Sequence, residues 1–556
     1  MPRMTGKHAV MQMLRAEGVQ YIFGNPGTTE TPLMDALEDY PDIKYMLTVQ
    51  EGVAMGMADA YSRALGQPSF VNLHIETGLA NGISLLQNAY DGGSPIVLTA
   101  CNKDIRELAH GRTDLREMAR QFTKWSVEVS HPEAIPVAMR KAFYEAKTPP
   151  TGPTFISFTA NSLDDEADVE IVPSSRSFNS ARPDSTAVEL AVDTLSSASN
   201  PIILVGDSVG ESGALEEVIE LSEKLGCKVY STMFSGVNFP TSHPHYMGPI
   251  RLGYRGTRDA LETADVIVMA GRIASNYYMF SDPPLRYFSG KTKLIHIHWD
   301  SSNVGQTEPT DVGIVADPKT AINEIVQGLG INMHKDAITA SKARSRLTRS
   351  EKESAYSKDA ERTKLLWENA PMSPERMMAE LSKSLPENVI IANDAVTSGG
   401  ALHHSVQFDN AGSLYGGRGG ALGWGMGGTL GIKLANPDRP VVGVIGDGSA
   451  MMTIQALWTA AAENIPVVYV ICNNGVYRVL KVNMNMYKEL VLKGESPPSK
   501  YIGMDFSLPF DMAGIAKSMG VYSRRIEDPN QIAPAVEEAL NLGAPALLDV
   551  IIDPSL

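Results

Sequence analysis

One stretch limits what this 556-residue chain can fold into: residues 440–474, PVVGVIGDGSAMMTIQALWTAAAENIPVVYVICNN. The run at 441–445 is apolar and rich in β-branched residues, the pattern of a strand buried on both faces. It stops at Gly446-Asp447-Gly448-Ser449. The spacing predicts a helix over 453–463, with Ile454, Leu457, Trp458 and Ala461 on one face. A second apolar run, 467–472, ends at Asn473-Asn474. Strand, turn, helix, strand is a βαβ unit, and it brings both strand ends to one edge of a sheet. Asp447 and Asn474 are therefore expected side by side. A carboxylate and an amide carbonyl are hard oxygen donors, suited to Mg²⁺ or Ca²⁺ rather than zinc. Mg²⁺ completes its shell with phosphate oxygens and water, and a helix N-terminus favours anions. The stretch asks for a metal–diphosphate. Gly-Asp-Gly by itself is also an ordinary turn; the full pattern between two buried strands is far more specific.

At about 100–200 residues per domain, the length predicts three or four domains. Apolar residues make up 43% and charged residues 20%, which allows real cores. A net charge of −16 argues against nucleic acid and against an anionic membrane surface. Cys101, Cys227 and Cys472 are scattered and form neither a disulfide framework nor a zinc spacing. The start, MPRMTGKHAV, leads straight into an amphipathic helix, and no run of about 18 apolar residues exists. A soluble cytoplasmic protein with no nucleic-acid or membrane partner is expected.

Apolar runs near 21–23, 45–49, 69–74 and 96–100 alternate with helical patterns, which predicts an α/β domain with a mostly parallel sheet over 1–165. Residues 165–190 are polar, with Pro and Ser, and read as a linker. A second α/β pattern spans 185–330. Its Gly206-Asp207-Ser208-Val209-Gly210 lacks the GxGxxG spacing of a dinucleotide site. Residues 331–370 are highly charged, an exposed helix and linker, and a third α/β domain covers 371–556. The fold class is thus α/β, three doubly wound domains with mostly parallel sheets. Residues 68–102 also match 439–473 without a gap: Pro95 falls on Pro466, Cys101 on Cys472, Asn102 on Asn473 and Glu76 on Asp447. Any two βαβ units share some of this; the sharper reading is a related pair of domains, one at each end.

The pattern from Gly-Asp-Gly-Ser to Asn-Asn resembles the thiamine diphosphate (ThDP) motif of the ThDP-dependent 2-oxo acid decarboxylase and acetolactate synthase superfamily. Phe23-Gly24-Asn25-Pro26-Gly27, Met46-Leu47-Thr48-Val49, Phe70-Val71-Asn72-Leu73-His74 and the stretch 449–474 are most similar to its benzoylformate decarboxylase branch. The resemblance implies a pyrimidine-binding, a middle and a diphosphate-binding domain. It implies that Glu51 activates the pyrimidine, although an acid at a helix start is also a plain stabiliser through the helix dipole. It implies Leu422 as the wedge that folds the cofactor and Gly420 as a carbonyl donor to its amino group. Gly446, Gly448, Ser449, Thr397, Ser398 and Tyr477 would complete the cofactor site, and Asp447, Asn474 and the Val476 carbonyl would hold Mg²⁺. Thr28, His74 and Tyr278 fall at the proton-handling positions. A Tyr, with a reference pKa of about 10, is a poorer acid–base partner near neutrality than a His at about 6.5. Asn483 stands where an aromatic residue is expected, which puts an aryl substrate in doubt. The adjacent His403 and His404 point apart on a helix and are not read as a metal site.

The activity so implied is ThDP- and Mg²⁺-dependent decarboxylation of a 2-oxo acid to an aldehyde, with carboligation open to the same chemistry. The alternatives are an acetolactate synthase-like carboligase carrying FAD on its middle domain, and a non-catalytic ThDP-binding homologue. The resemblance also implies a homodimer or homotetramer with active sites shared between subunits.

Overall fold

The computed structural model describes residues 1–107, 111–176, 180–233, 235–250, 255–271, 288, 290–306 and 308–556. Three six-stranded sheets organise these residues, and every strand pair within them is parallel. In the N-terminal sheet the order is Lys44–Leu47, Tyr21–Asn25, Ser69–Leu73, Ile96–Asn102, Thr154–Thr159, Trp125–Val129. In the C-terminal sheet it is Leu414–Gly416, Ile390–Asp394, Val441–Gly446, Val468–Asn473, Ala546–Ile551, Tyr522–Ile526. The middle sheet runs Tyr246–Ile250, Lys228–Thr232, Pro201–Val205, Val266–Ala270, Lys293–His298, Val312–Val315. The fold class expected from the sequence is the one observed. Strands such as Pro201–Val205 and Val468–Asn473 are buried along their whole length, which is why they read as unbroken apolar runs.

The two terminal sheets have the same strand order, slot by slot, so the internal echo is a repeated topology. The two domains also share one core. Val53, Ala54 and Met57 of the helix Glu51–Leu65 pack with Met426 and Leu430 of the helix Trp424–Ala435. Burying each such large side chain contributes about 1.5–3 kcal/mol. The backbones nearly touch. A Cβ on Gly427 would lie 2.7 Å from the Val53 carbonyl oxygen, and one on Gly431 would lie 2.1 Å from that of Met57. Only glycine permits this approach.

Three local expectations change. The helix expected over 453–463 is shorter, Ala456–Ala462, and a separate turn of helix, Asp447–Ala450, precedes it. The helix Ala456–Ala462 buries Ala456, Leu457, Thr459 and Ala460, so Trp458 faces outward at 38% exposure. Part of the 165–190 linker is ordered structure: Glu166–Asp168 pairs antiparallel with Arg3–Thr5, and the helix Ser185–Ser196 follows. The charged 331–370 region is dominated by the helix Lys335–Leu365. Its Lys352 is buried and donates to the carbonyls of Thr241 at 2.7 Å and His243 at 2.6 Å. Tyr278 lies outside the described residues.

Candidate active site

At the carboxyl edge of the C-terminal sheet, Gly446 pairs with Cys472, so the turns that follow their strands lie together. Asp447 accepts from its neighbour Gly448 N at 2.9 Å and from Gly475 N, across the gap, at 2.9 Å. Asn474 Oδ1 accepts from Val476 N at 3.0 Å. Asp447 and the 474–476 turn are thus adjacent, as the βαβ reading required. Burial pushes the Asp447 carboxyl up to about 6. Among the described residues no cluster of three His, Cys, Asp or Glu side chains exists to hold a metal. The donors here are one carboxylate, one amide oxygen and a backbone carbonyl. That all-oxygen set fits a Mg²⁺ whose shell is completed by diphosphate.

One strand over, Asp394 ends Ile390–Asp394 and accepts from Gly425 N at 2.9 Å and Gly423 N at 3.2 Å. It also accepts from the Ser449 hydroxyl, which in turn receives Gly423 N at 2.9 Å. Desolvation raises the Asp394 carboxyl to about 6. Gly448 faces the Tyr477 ring so closely that a Cβ would lie 2.6 Å from Tyr477 Cε1. The Ser398 hydroxyl is buried against Cys472, where burial pushes the thiol up to about 12. Thr397 lines a cavity of about 450 Å³ with Arg478 and Val482.

A larger cavity, about 720 Å³, adjoins this edge. Asp394, Gly420 and Leu422 line it from the C-terminal domain, Asn238 and Tyr246 from the middle domain, and Leu480 and Asn483 from the segment after the Asn474 turn. Its described lining residues include none from the N-terminal domain. His403 packs edge-on against Phe408, while His404 turns to Asp359 at 3.2 Å, so the two rings diverge.

The N-terminal edge is built around two acids. Glu51, 6% exposed, starts its helix and accepts from Asn25 Nδ2 and Asn81 Nδ2, both at 3.1 Å. His74 Nδ1 lies 2.7 Å from Glu30 Oε2. Glu30 is fully buried and also accepts from Gly27 N at 3.0 Å, Thr29 Oγ1 at 2.8 Å and Cys101 N at 3.1 Å. A carboxylate on Nδ1 orients the imidazole and leaves Nε2 for a ligand. Thr29, not Thr28, stands against His74, at 3.1 Å, and Thr28 is exposed. Sequence reasoning missed Glu30 and Thr29; its one available signal was an acid inside the Asn-Pro-Gly turn. Left-handed backbone at Val49 (φ 50°) and Ile75 (φ 31°), both β-branched, marks the two strand-to-helix junctions beside Glu51 and His74. Such strain collects at functional sites.

Three family models match the chain in order. They are the N-terminal thiamine pyrophosphate binding domain over residues 4–122, the central domain over 188–325, and the C-terminal thiamine pyrophosphate binding domain over 394–550. A benzoylformate decarboxylase of Pseudomonas aeruginosa is 28% identical over 553 residues, with 98% of each chain covered. A probable acetolactate synthase large subunit of Methanocaldococcus jannaschii is 29% identical over 576 residues, covering 99% of this chain and 92% of that one. Among solved structures, the thiamine diphosphate-dependent 4-hydroxybenzoylformate decarboxylase of Rhodococcus jostii superposes with a TM-score of 0.83 at 26% identity, covering 99% of this chain and 100% of that one.

Proposed function

The chain belongs to the thiamine pyrophosphate enzymes, and from that premise we propose that it decarboxylates a 2-oxo acid with ThDP and Mg²⁺. The observation that carries the reading is the meeting of Asp447 with the 474–476 turn at one sheet edge. Asp447, Asn474 and the Val476 carbonyl would hold Mg²⁺. Gly446, Gly448, Ser449 and Thr397 would receive the diphosphate, and the Tyr477 ring closes over Gly448. Gly420 would offer its carbonyl to the aminopyrimidine, and Leu422 would fold the cofactor. When bound, ThDP supplies the electron sink for loss of CO₂.

The chain's own residues handle the protons. Glu51 would hold a proton toward the pyrimidine nitrogen, and Asn25 and Asn81 fix its carboxylate in place. His74, oriented by Glu30, delivers a proton through Nε2, so that the product leaves as an aldehyde. Glu51 and His74 of a second copy would complete the cavity on the C-terminal side, whose described lining residues include none from the N-terminal domain of the same chain.

The likeness to an acetolactate synthase large subunit at comparable identity favours a second reading, in which a second carbonyl compound captures the product before protonation. One experiment separates the two. Protein loaded with ThDP and Mg²⁺ is given a panel of 2-oxo acids with and without aldehyde acceptors, and CO₂ and organic products are identified. Aldehyde release without an acceptor supports decarboxylation; carbon–carbon products alone support ligation. Tight ThDP binding with no CO₂ from any member would leave a non-catalytic homologue.

A further inference from the structure

The loop that carries Gly420 and Leu422 reads Gly416-Gly417-Arg418-Gly419-Gly420-Ala421-Leu422. Before Leu422 it has one long side chain, Arg418. Glycines supply no rigidity of their own, so the position of this loop must be imposed from outside. The Gly416 carbonyl accepts from two guanidinium groups, Arg63 Nη1 at 3.0 Å and Arg418 Nη1 at 3.1 Å. Two buried cations on one oxygen repel unless each is matched. Each is matched by an acid from a different domain. Asp59 of the N-terminal domain lies 3.6 Å from Arg63, and Asp207 of the middle domain lies 2.5 Å from Arg418 Nε. The Asp207 carboxylate is itself fixed, because its other oxygen accepts from Gly236 N at 2.8 Å and Asn238 Nδ2 at 3.2 Å.

The place of Asp207 in the fold is also informative. It follows Pro201–Val205, whose neighbour Val266–Ala270 comes later in the chain, on the far side from Lys228–Thr232. That is the switch point of the middle sheet, where an open α/β sheet commonly receives a ligand. Here the position supplies a carboxylate to Arg418.

Gln87 and Asn88 of the N-terminal domain hold the Gly419 carbonyl and both backbone groups of Ala421. We propose that Asp207 is a further positioning residue for the cofactor-folding loop: through Arg418 it fixes the Gly416–Arg418 side of the loop, and with it where Gly420 and Leu422 stand. The middle domain thereby acts on the cofactor site through a loop of the C-terminal domain. This inference rests on the reading of Gly420 and Leu422 given under Proposed function.

The test uses the full-length protein titrated with ThDP and Mg²⁺. The cofactor dissociation constant is read from tryptophan fluorescence, the bound cofactor's conformation from near-ultraviolet circular dichroism, and stability from thermal unfolding. Asp207→Asn removes the acid nearest Arg418 and is expected to lower both stability and affinity. The deciding variant is Asp207→Asn/Arg418→Met. Removing both charges is expected to restore the melting temperature. ThDP should nevertheless bind about tenfold more weakly with an altered dichroism band, because the loop has lost its register. A purely structural pair would recover affinity together with stability, and that result overturns the proposal. Asp207→Glu keeps the charge on a longer arm and covers the case in which the double variant does not fold. It is expected to bind ThDP more weakly, and wild-type affinity and dichroism in it also overturn the proposal. Leu422→Ala is the control. If it leaves ThDP affinity and dichroism unchanged, the reading of the wedge fails; if it weakens binding while the latch variants do not, the latch alone fails.

Discussion

In the N-terminal sheet a buried acid, Glu30, follows Tyr21–Asn25 and reaches across to His74, just after Ser69–Leu73. In the C-terminal sheet the matching slot holds Asp394, at the end of Ile390–Asp394, which reaches across to Ser449, just after Val441–Gly446. The strand order is the same and the acid bridges the same pair of strand ends. The partners differ in kind. Glu30 meets an imidazole whose side chain is 31% exposed, a group that can gain and lose a proton. Asp394 meets a hydroxyl and two backbone N–H groups, which are fixed donors. One topology thus sets its acid against an imidazole at one edge and against fixed donors at the other, which under the function proposed above are a proton-handling edge and an anchoring edge.

The largest break in this comparison should come from the anchoring edge. Asp447→Ala is expected to retain no ThDP or Mg²⁺ through desalting and to lose activity entirely; retention at wild-type stoichiometry would remove the C-terminal edge as the anchor. Next comes the other edge. Glu51→Gln should keep the cofactor yet lower kcat by about 10²- to 10⁴-fold, the usual range for lost acid–base catalysis. Loss of ThDP binding in parallel would mean that the two edges do not divide the work. Mixing Glu51→Ala with Asp447→Ala protein under conditions of subunit exchange should restore part of the activity if each site draws on two copies.

Exchanging the two bridging acids sharpens the contrast. Glu30→Gln is expected to lower kcat by about 10- to 100-fold and to change its pH profile, since an amide cannot stabilise a protonated His74. Asp394→Asn should instead alter ThDP affinity and leave the pH profile in place. A methyl group on the anchoring edge comes next: Gly448→Ala drives its Cβ into Tyr477 and should cost about 1–3 kcal/mol, read by thermal unfolding. The smallest effect is a pH dependence in the cofactor-free protein. The Asp394 carboxyl is raised by desolvation from 3.8 to about 6 in the folded chain, so between those values the folded state holds the extra proton. Its burden on stability is therefore greatest above about pH 6 and is relieved as pH falls. Asp394→Asn should gain stability relative to wild type at neutral pH and lose that advantage toward pH 4; a pH-independent difference would show that Asp394 does not titrate in this range.

Much of the fold was legible because buried parallel strands write unbroken apolar runs and their crossovers restrict where strand ends go. Runs at 441–445 and 467–472 became Val441–Gly446 and Val468–Asn473, and Asp447 duly meets the 474–476 turn. Trp458 was misplaced because its helix turns Ala456, Leu457, Thr459 and Ala460 to the core, a choice of face that apolar spacing alone left open. The contact of Ser398 with Cys472 was not legible either, since it comes from the packing of another strand.

What the sequence determined unaided was three α/β units, a repeated terminal pair, and the meeting of one carboxylate with one amide at a sheet edge. These follow from local periodicity and from the short reach of a crossover. The tertiary structure alone decided that Glu30 belongs to the site and that Thr29, rather than Thr28, stands beside His74. It also decided that Asp207 is spent on Arg418. Glu30 is buried by groups 44 and 71 residues away, and contacts that distant leave no period in the chain.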